Sequence, residues 1–285
     1  MALGQELPLD LAGLKEMARV NRLDVARMFM AAGNGHFGSC YSCTEIITAL
    51  YFGLMRVNAA DPSWADRDRF IMGKGHAAPT VYSALIRRGF MPESWMDLYE
   101  TAVGVKLMTH PSRRYQPGID ASQGSLGHGL SIGVGMALAG RRDGRDYNVY
   151  VLMGDGETNE GSVWEAAASA SKFQLDRLVG IVDCNRLSVD GALADVMPME
   201  PMVDKWRAFG WDTVRLDGHD LPALLAALAP RRGTAVGTGK PRMIVADTVK
   251  GRGVDFMENV RAWHADTIDA EQYGRVLDQL QKQLA

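Results

Sequence analysis

Two side chains thirty residues apart carry the most chemistry in this chain. Asp155 lies in Gly154-Asp155-Gly156-Glu157-Thr158-Asn159-Glu160-Gly161, and Asn185 closes Asp183-Cys184-Asn185. An apolar run over 148–153 ends on the Gly-Asp-Gly, a segment of helical composition follows over 162–173, and a second apolar run over 178–182 ends on the Asp-Cys-Asn. This order reads as a β-α-β unit, whose crossover makes the strands parallel and brings Asp155 and Asn185 out at one carboxyl edge of a sheet. A carboxylate and an amide oxygen converging beside a glycine turn suit Mg²⁺. That ion takes a few protein oxygens and completes an octahedral shell with phosphate and water. Gly154 and Gly156 allow tight backbone geometry and close approach to a diphosphate.

The six histidines form a second group: His36, His76, His110, His128, His219 and His264 all stand in segments marked by glycine or proline. Imidazole titrates near neutrality and both donates and accepts protons. Loops gathered at one sheet edge could therefore build a proton-transfer and hydroxyl-binding site. Cys40-Tyr41-Ser42-Cys43 has Cys-x-x-Cys spacing, but a zinc site would want a second pair or more than the one nearby histidine, His36. A redox role would want a thioredoxin-like unit. The expectation is two small, semi-buried residues near the start of a helix.

The elements that must position these groups alternate. Helices are expected over 11–32, 44–55, 80–88, 130–139, 162–173, 221–228 and 271–284, and strands over 69–72, 148–153, 178–182, 213–216 and 243–247. That alternation predicts an α/β fold with a doubly wound, mainly parallel sheet flanked by helices. No repeat or linker divides residues 1–285, and the loosest stretch, 233–239, is short enough for a surface loop, so one domain is expected. With 47% hydrophobic and 23% charged residues and a net charge of −3, the chain has the make-up of a soluble globular protein. Nothing in it favours nucleic acid or a membrane. Three cysteines and an N-terminus without the basic-then-apolar order of a signal peptide lead to a cytoplasmic expectation.

Gly-Asp-Gly followed about thirty residues later by Asn resembles the thiamine diphosphate motif, and Gly-Asp-Gly-x-x-x-Glu-Gly is similar to the transketolase family in particular. The likeness continues in chain order. Gly35-His36-Phe37-Gly38 comes first, then Lys74-Gly75-His76 behind Arg67-Asp68-Arg69, then His110-Pro111 and Gly124-Ser125-Leu126-Gly127. Asp155 follows, and His264 stands after Trp263. It covers the chain from about Leu11 to His264.

The resemblance implies a thiamine diphosphate-binding fold, with Mg²⁺ held by Asp155, Asn185 and the backbone carbonyl of Leu187. His36, His76, His110 and His264 would line the channel over the cofactor, binding substrate hydroxyls and relaying protons. Gly124, Leu126, Gly154 and Gly156 would contact the cofactor, and Glu160 would hydrogen-bond a glutamate of a partner chain. Lys250 could neutralise diphosphate charge, although as an exposed loop lysine it is equally explained by solubility. Gln123 stands where the family commonly has Thr, His128 where it has Gln, and Gly73 where it has Ser. These departures bear on substrate preference.

The family's activating glutamate belongs to a pyrimidine-binding domain, followed by a third domain, and this sequence carries neither. The expectation is a split transketolase, whose second subunit supplies both, assembled as a heterotetramer of two plus two chains acting on sugars or sugar phosphates. The alternatives are a truncated chain, a subunit of another thiamine diphosphate enzyme (2-oxo acid dehydrogenase or deoxyxylulose phosphate synthase-like), and a non-catalytic regulatory homologue.

Overall fold

A computed structural model of the chain describes residues 7–101, 106–231 and 239–282. The elements run α1 (Leu11–Ala32), β1 (Asn34–Gly35), α2 (Phe37–Ser42), α3 (Thr44–Thr48), β2 (Arg69–Met72), α4 (Ala78–Arg87), α5 (Gly129–Arg142), β3 (Val149–Gly154), α6 (Gly161–Lys172) and β4 (Leu178–Cys184). They continue as α7 (Leu193–Val196), α8 (Met202–Ala208), β5 (Asp212–Asp217), α9 (Leu221–Leu228), β6 (Arg242–Asp247), β7 (Asp266–Thr267) and α10 (Ala270–Lys282).

Five strands form one parallel sheet in the order β2-β3-β4-β6-β5, and β1 pairs antiparallel with β7 apart from it. Period-two alternation divides the sheet's side chains between two cores. Phe70, Met72, Tyr150, Leu152, Ile181 and Ile244 face one side, in the core that includes residues of α1, α3, α4, α9 and α10. Ile71, Val149, Val151, Met153, Val182 and Val245 face the other, with residues of α5, α6 and α8. Strands buried on both faces read as continuous apolar runs, which is why 149–153 and 178–182 are so uniform in sequence. The expected doubly wound α/β architecture is the one observed.

Strands β1 and β7 and helices α2, α7 and α8 were not anticipated. Phe37–Ser42 is helical although its glycine and serines are weak helix formers, because all six residues are buried and packing decides their conformation. The expected helix over 44–55 changes at Ala49–Leu54 to a π-helical turn, where Gly53 lies against α9; a Cβ there would stand 2.8 Å from Leu225 Cδ2. Residues 233–238 and 283–284 of the expected segments lie outside the described residues. No helix among the described residues is long and apolar enough to cross a membrane.

Candidate active site

The parallel sheet sends four loops to one edge. β2 runs into Lys74 and His76, β3 into Asp155, β4 into Asn185 and Leu187, and β6 into Lys250. The register sets Gly154 beside Asp183, so the residues that follow each strand emerge together. Asp155 is 3% exposed. Its Oδ1 accepts the Gly156 N–H at 2.8 Å and its Oδ2 accepts the Arg186 N–H at 2.5 Å. Arg186 reaches this position by adopting a left-handed conformation, φ 66°, which costs an arginine about 1–2 kcal/mol. The same turn places the Leu187 N–H 3.2 Å from Asn185 Oδ1. Asp155 is therefore hydrogen-bonded to the turn that carries the other two predicted ligands, Asn185 and the Leu187 carbonyl.

Burial pushes the Asp155 carboxyl up to about 6, only partly offset by its backbone hydrogen bonds. Such a carboxylate is poorly compensated by the protein, and a divalent cation would favour its ionised form. Among the described residues no group of three or more His, Cys, Asp or Glu side chains could hold a metal. One carboxylate, one amide and one carbonyl leave most of a shell to phosphate and water, which fits Mg²⁺.

Room for a diphosphate is present as well. A Cβ added at Gly124, Gly154 or Gly156 would meet nothing among the described residues closer than 3.8 Å. Packing does not require glycine at these positions, so they leave space beside the backbone. Gly38 is different: a Cβ there would lie 2.8 Å from both Lys250 Cγ and the Trp263 carbonyl, so this glycine seats those two loops on α2.

Three of the four predicted channel histidines are brought together. The rings of His36 and His76 are 5.2 Å apart, those of His76 and His264 are 5.3 Å apart, and those of His36 and His264 are 5.9 Å apart. All three are held below the usual imidazole range. Burial is the main cause, joined by His110 and Lys250 for His36 and by Lys74 and His36 for His76. His264 is pushed to about 3 by burial and the Lys250 ammonium. The cluster is therefore neutral near pH 7, each ring with one donor and one acceptor. His36 Nδ1 is buried and has no hydrogen-bond partner among the described residues. His110 lies beside them, with its Cδ2 3.1 Å from a Cβ built on Gly75, but it is exposed.

Lys250 corrects the sequence reading. It is fully buried, not an exposed loop lysine, and its ammonium donates to the Leu187 carbonyl at 2.9 Å and to His264 Nδ1 at 2.8 Å. An ammonium only donates, so His264 carries its own proton on Nε2. Burial and Lys74 lower Lys250 to about 8.

Cys40 and Cys43 are likewise fully buried, not semi-buried, and burial raises their thiols to about 12 and about 11. That environment suits neither metal nor redox chemistry. Glu160 and Leu126 are exposed at the edge, and Glu160 forms no ion pair among the described residues. His128 is exposed, and Gln123 is buried with neither amide atom bonded among the described residues. His219 lies outside the histidine cluster. Its Nε2 accepts the Val249 N–H at 2.9 Å, and its Nδ1 meets Glu45 at 2.9 Å.

Sequence reasoning missed the polar layer beneath this edge. Asp183, fully buried, accepts from the Lys74 ammonium, from Ser42 Oγ at 2.5 Å and from the Thr248 hydroxyl. The available signal was a carboxylate at the end of an otherwise apolar, doubly buried strand, which requires partners.

Comparison with known proteins identifies the family. A family model described as transketolase, thiamine diphosphate binding domain, matches residues 14–282. The chain is 39% identical over 271 residues to one subunit of the apulose-4-phosphate transketolase of Phocaeicola vulgatus, covering 95% of each. It is 37% identical over 270 residues to the 6-deoxy-6-sulfo-D-fructose transketolase subunit SqwG of a Clostridium species, covering 95% of this chain and 97% of that one. Among solved structures, a transketolase mutant from Pichia stipitis superposes with a TM-score of 0.86 at 28% identity, over 94% of this chain and 40% of the other. The Campylobacter jejuni transketolase gives 0.86 at 26%, over 96% and 43%. The chain thus spans nearly all of the two subunits and about two fifths of the two solved transketolase chains. It belongs to the transketolase family, as a member carrying the thiamine diphosphate-binding domain.

Proposed function

We propose that this chain is the diphosphate-binding subunit of a thiamine diphosphate- and Mg²⁺-dependent transketolase. The enzyme would move a two-carbon ketol unit from a ketose, or ketose phosphate, to an aldose acceptor. The supporting observation is the convergence at one sheet edge of Asp155, Asn185 and the Leu187 carbonyl with three neutral imidazoles. When bound, thiamine diphosphate supplies the carbon nucleophile. Of this chain's own residues, Asp155, Asn185 and Leu187 would hold Mg²⁺, while Gly124, Leu126, Gly154 and Gly156 would admit the cofactor.

His36 and His76 each offer an N–H donor and a lone pair to the substrate's hydroxyl and carbonyl oxygens, and His264, whose Nδ1 lone pair is taken by Lys250, offers its Nε2–H. Moving protons among successive alkoxides is work for neutral imidazoles, because an imidazolium has no acceptor. Lys250 keeps the His264 proton on Nε2. His110, exposed beside Gly75, would meet the part of the substrate nearest solvent.

The exposure of Glu160 and Leu126 supports a second chain on this edge, carrying the pyrimidine-binding and C-terminal domains, in a heterotetramer with two shared sites. Ketol transfer from a xylulose phosphate donor, with thiamine diphosphate and Mg²⁺, tests the reading on the chain alone and with that partner. Activity is expected only in the pair. A pair that assembles and binds cofactor but transfers nothing from any ketose would leave the binding assignment and remove the reaction.

A further inference from the structure

We propose that the buried Lys74–Asp183 pair is a positioning device for Asn185, fixing which end of its carboxamide is presented to the metal side of the site. This rests on the reading of Asp155, Asn185 and Leu187 as the metal-binding set. Asp183 stands two residues before Asn185, near the end of β4, and is completely buried. One carboxylate oxygen accepts from Lys74 and from Ser42, and the other accepts from Thr248. Lys74, 2% exposed, is anchored in turn by the Ser39 carbonyl at 2.6 Å. Donors from the loop after β2, from α2 and from the loop after β6 thus converge on one carboxylate and stop it rotating. Asn185 Nδ2 lies 3.4 Å from Asp183 Oδ2 and 3.5 Å from Ser42 Oγ.

The two ends of a carboxamide have nearly the same shape, so the surroundings must choose between them. A carboxylate accepts only. It draws the NH₂ inward and leaves Oδ1 on the loop side, where it meets the Leu187 N–H. Ser42 reinforces the choice. Its hydroxyl proton goes to Asp183, which leaves its lone pairs for Nδ2. A flipped amide would offer a donor to a cation, which it cannot ligate. A merely structural account is weaker, because a well-packed apolar pair often holds buried elements as well as an ion pair does. What two charges and two hydroxyls add is a direction.

The test is Mg²⁺ titration of thiamine diphosphate binding to the full chain, alone and in its assembled complex, followed by calorimetry. Asp183→Asn removes the pure acceptor, and Asn185→Asp sets a second carboxylate against Asp183; each is expected to weaken Mg²⁺ binding about tenfold or more. Combined, the amide now at 183 can donate to the carboxylate now at 185, and most of the loss should be recovered. Lys74→Met with Asp183→Asn leaves no unpaired buried charge. It should fold, as read by its melting temperature, and show the same loss.

Native Mg²⁺ affinity in a folded Asp183→Asn chain or in that neutral double variant overturns the proposal, as does strict additivity in the Asp183→Asn, Asn185→Asp pair. Failure of the unsubstituted chain and complex to bind Mg²⁺ with thiamine diphosphate overturns the site reading, and the proposal with it.

Discussion

At Gly156 an added Cβ would stand 3.9 Å from Leu193 Cδ1, an ordinary contact, and the backbone there is not left-handed. At Gly127 the added atom would come within 2.5 Å of Glu160 Cβ, at φ 85°. Both residues belong to glycine motifs that look alike in sequence. Gly156→Ala is expected to leave the cofactor-free chain as stable as before, or more stable by about 0.4–1 kcal/mol. It should nevertheless weaken thiamine diphosphate binding measurably in a titration. Gly127→Ala should cost about 1–3 kcal/mol in denaturant unfolding. If Gly156→Ala leaves cofactor affinity intact, the open space beside it is not a diphosphate cradle.

Asp155 permits a pH test. Its folded pKa, about 6, is raised above the ordinary carboxyl value, so its contribution to stability is full below about 4 and is lost as pH rises through 6. Mg²⁺ requires the carboxylate, so protons compete below pH 6. The thermal stabilisation given by Mg²⁺ with thiamine diphosphate should be large at pH 7.5 and fade towards pH 5, and Asp155→Asn should show none at any pH. A stabilisation in Asp155→Asn that matches the native chain would remove Asp155 from the metal set.

Among the elements, those that could be read were those whose burial leaves a period. The β-α-β unit from 148 to 184 was legible because strands buried on both faces are uniformly apolar and the helix between them is alanine-rich. From that unit alone, Asp155 and Asn185 could be placed at one edge. Helix α2 was not legible, because six consecutive buried residues show no helical stripe, and its part in seating Lys250 through Gly38 was hidden with it. For the same reason the burial of Lys250 could not be foreseen from a segment written Lys-Gly-Arg-Gly.

His219 was visible as a loop histidine, but its work is a clasp between elements. Its Nδ1–H bonds Glu45 on α3, while Arg22 on α1 holds the same carboxylate at 2.7 Å. Burial would raise Glu45, but Arg22 and His219 more than offset it and hold the group at about 2. Glu45→Ala leaves Arg22 unpaired in the interior and should cost about 3–5 kcal/mol. His219→Ala should cost about 1–3 kcal/mol and, because Val249 adjoins Lys250, also loosen cofactor binding. Equal cofactor affinity in a folded His219→Ala chain would confine this clasp to stability.

At the scale of the whole molecule, two cores brace the sheet from either side, and the proposed site residues lie along its carboxyl edge. That edge has a buried floor of Asp183, Lys74 and Lys250 and an uncovered rim. His110, Leu126, Glu160, Val189 and Val260 are all exposed along these loops. A ketol-transfer site must exclude water from a reactive carbon and protonate several oxygens in turn. A rim this open does neither alone, so turnover should require a chain that covers it. Glu160 provides the separating experiment. Exposed, and without an ion-pair partner among the described residues, it should tolerate Glu160→Gln with a change in the melting temperature of the lone chain near zero. In the assembled pair the same substitution should lower turnover about tenfold or more, because the carboxylate would meet its partner only across the interface. Substantial turnover by the lone native chain would show that the rim closes by itself. Native turnover in the Glu160→Gln pair would instead leave the covering chain in place and move the contact to another residue.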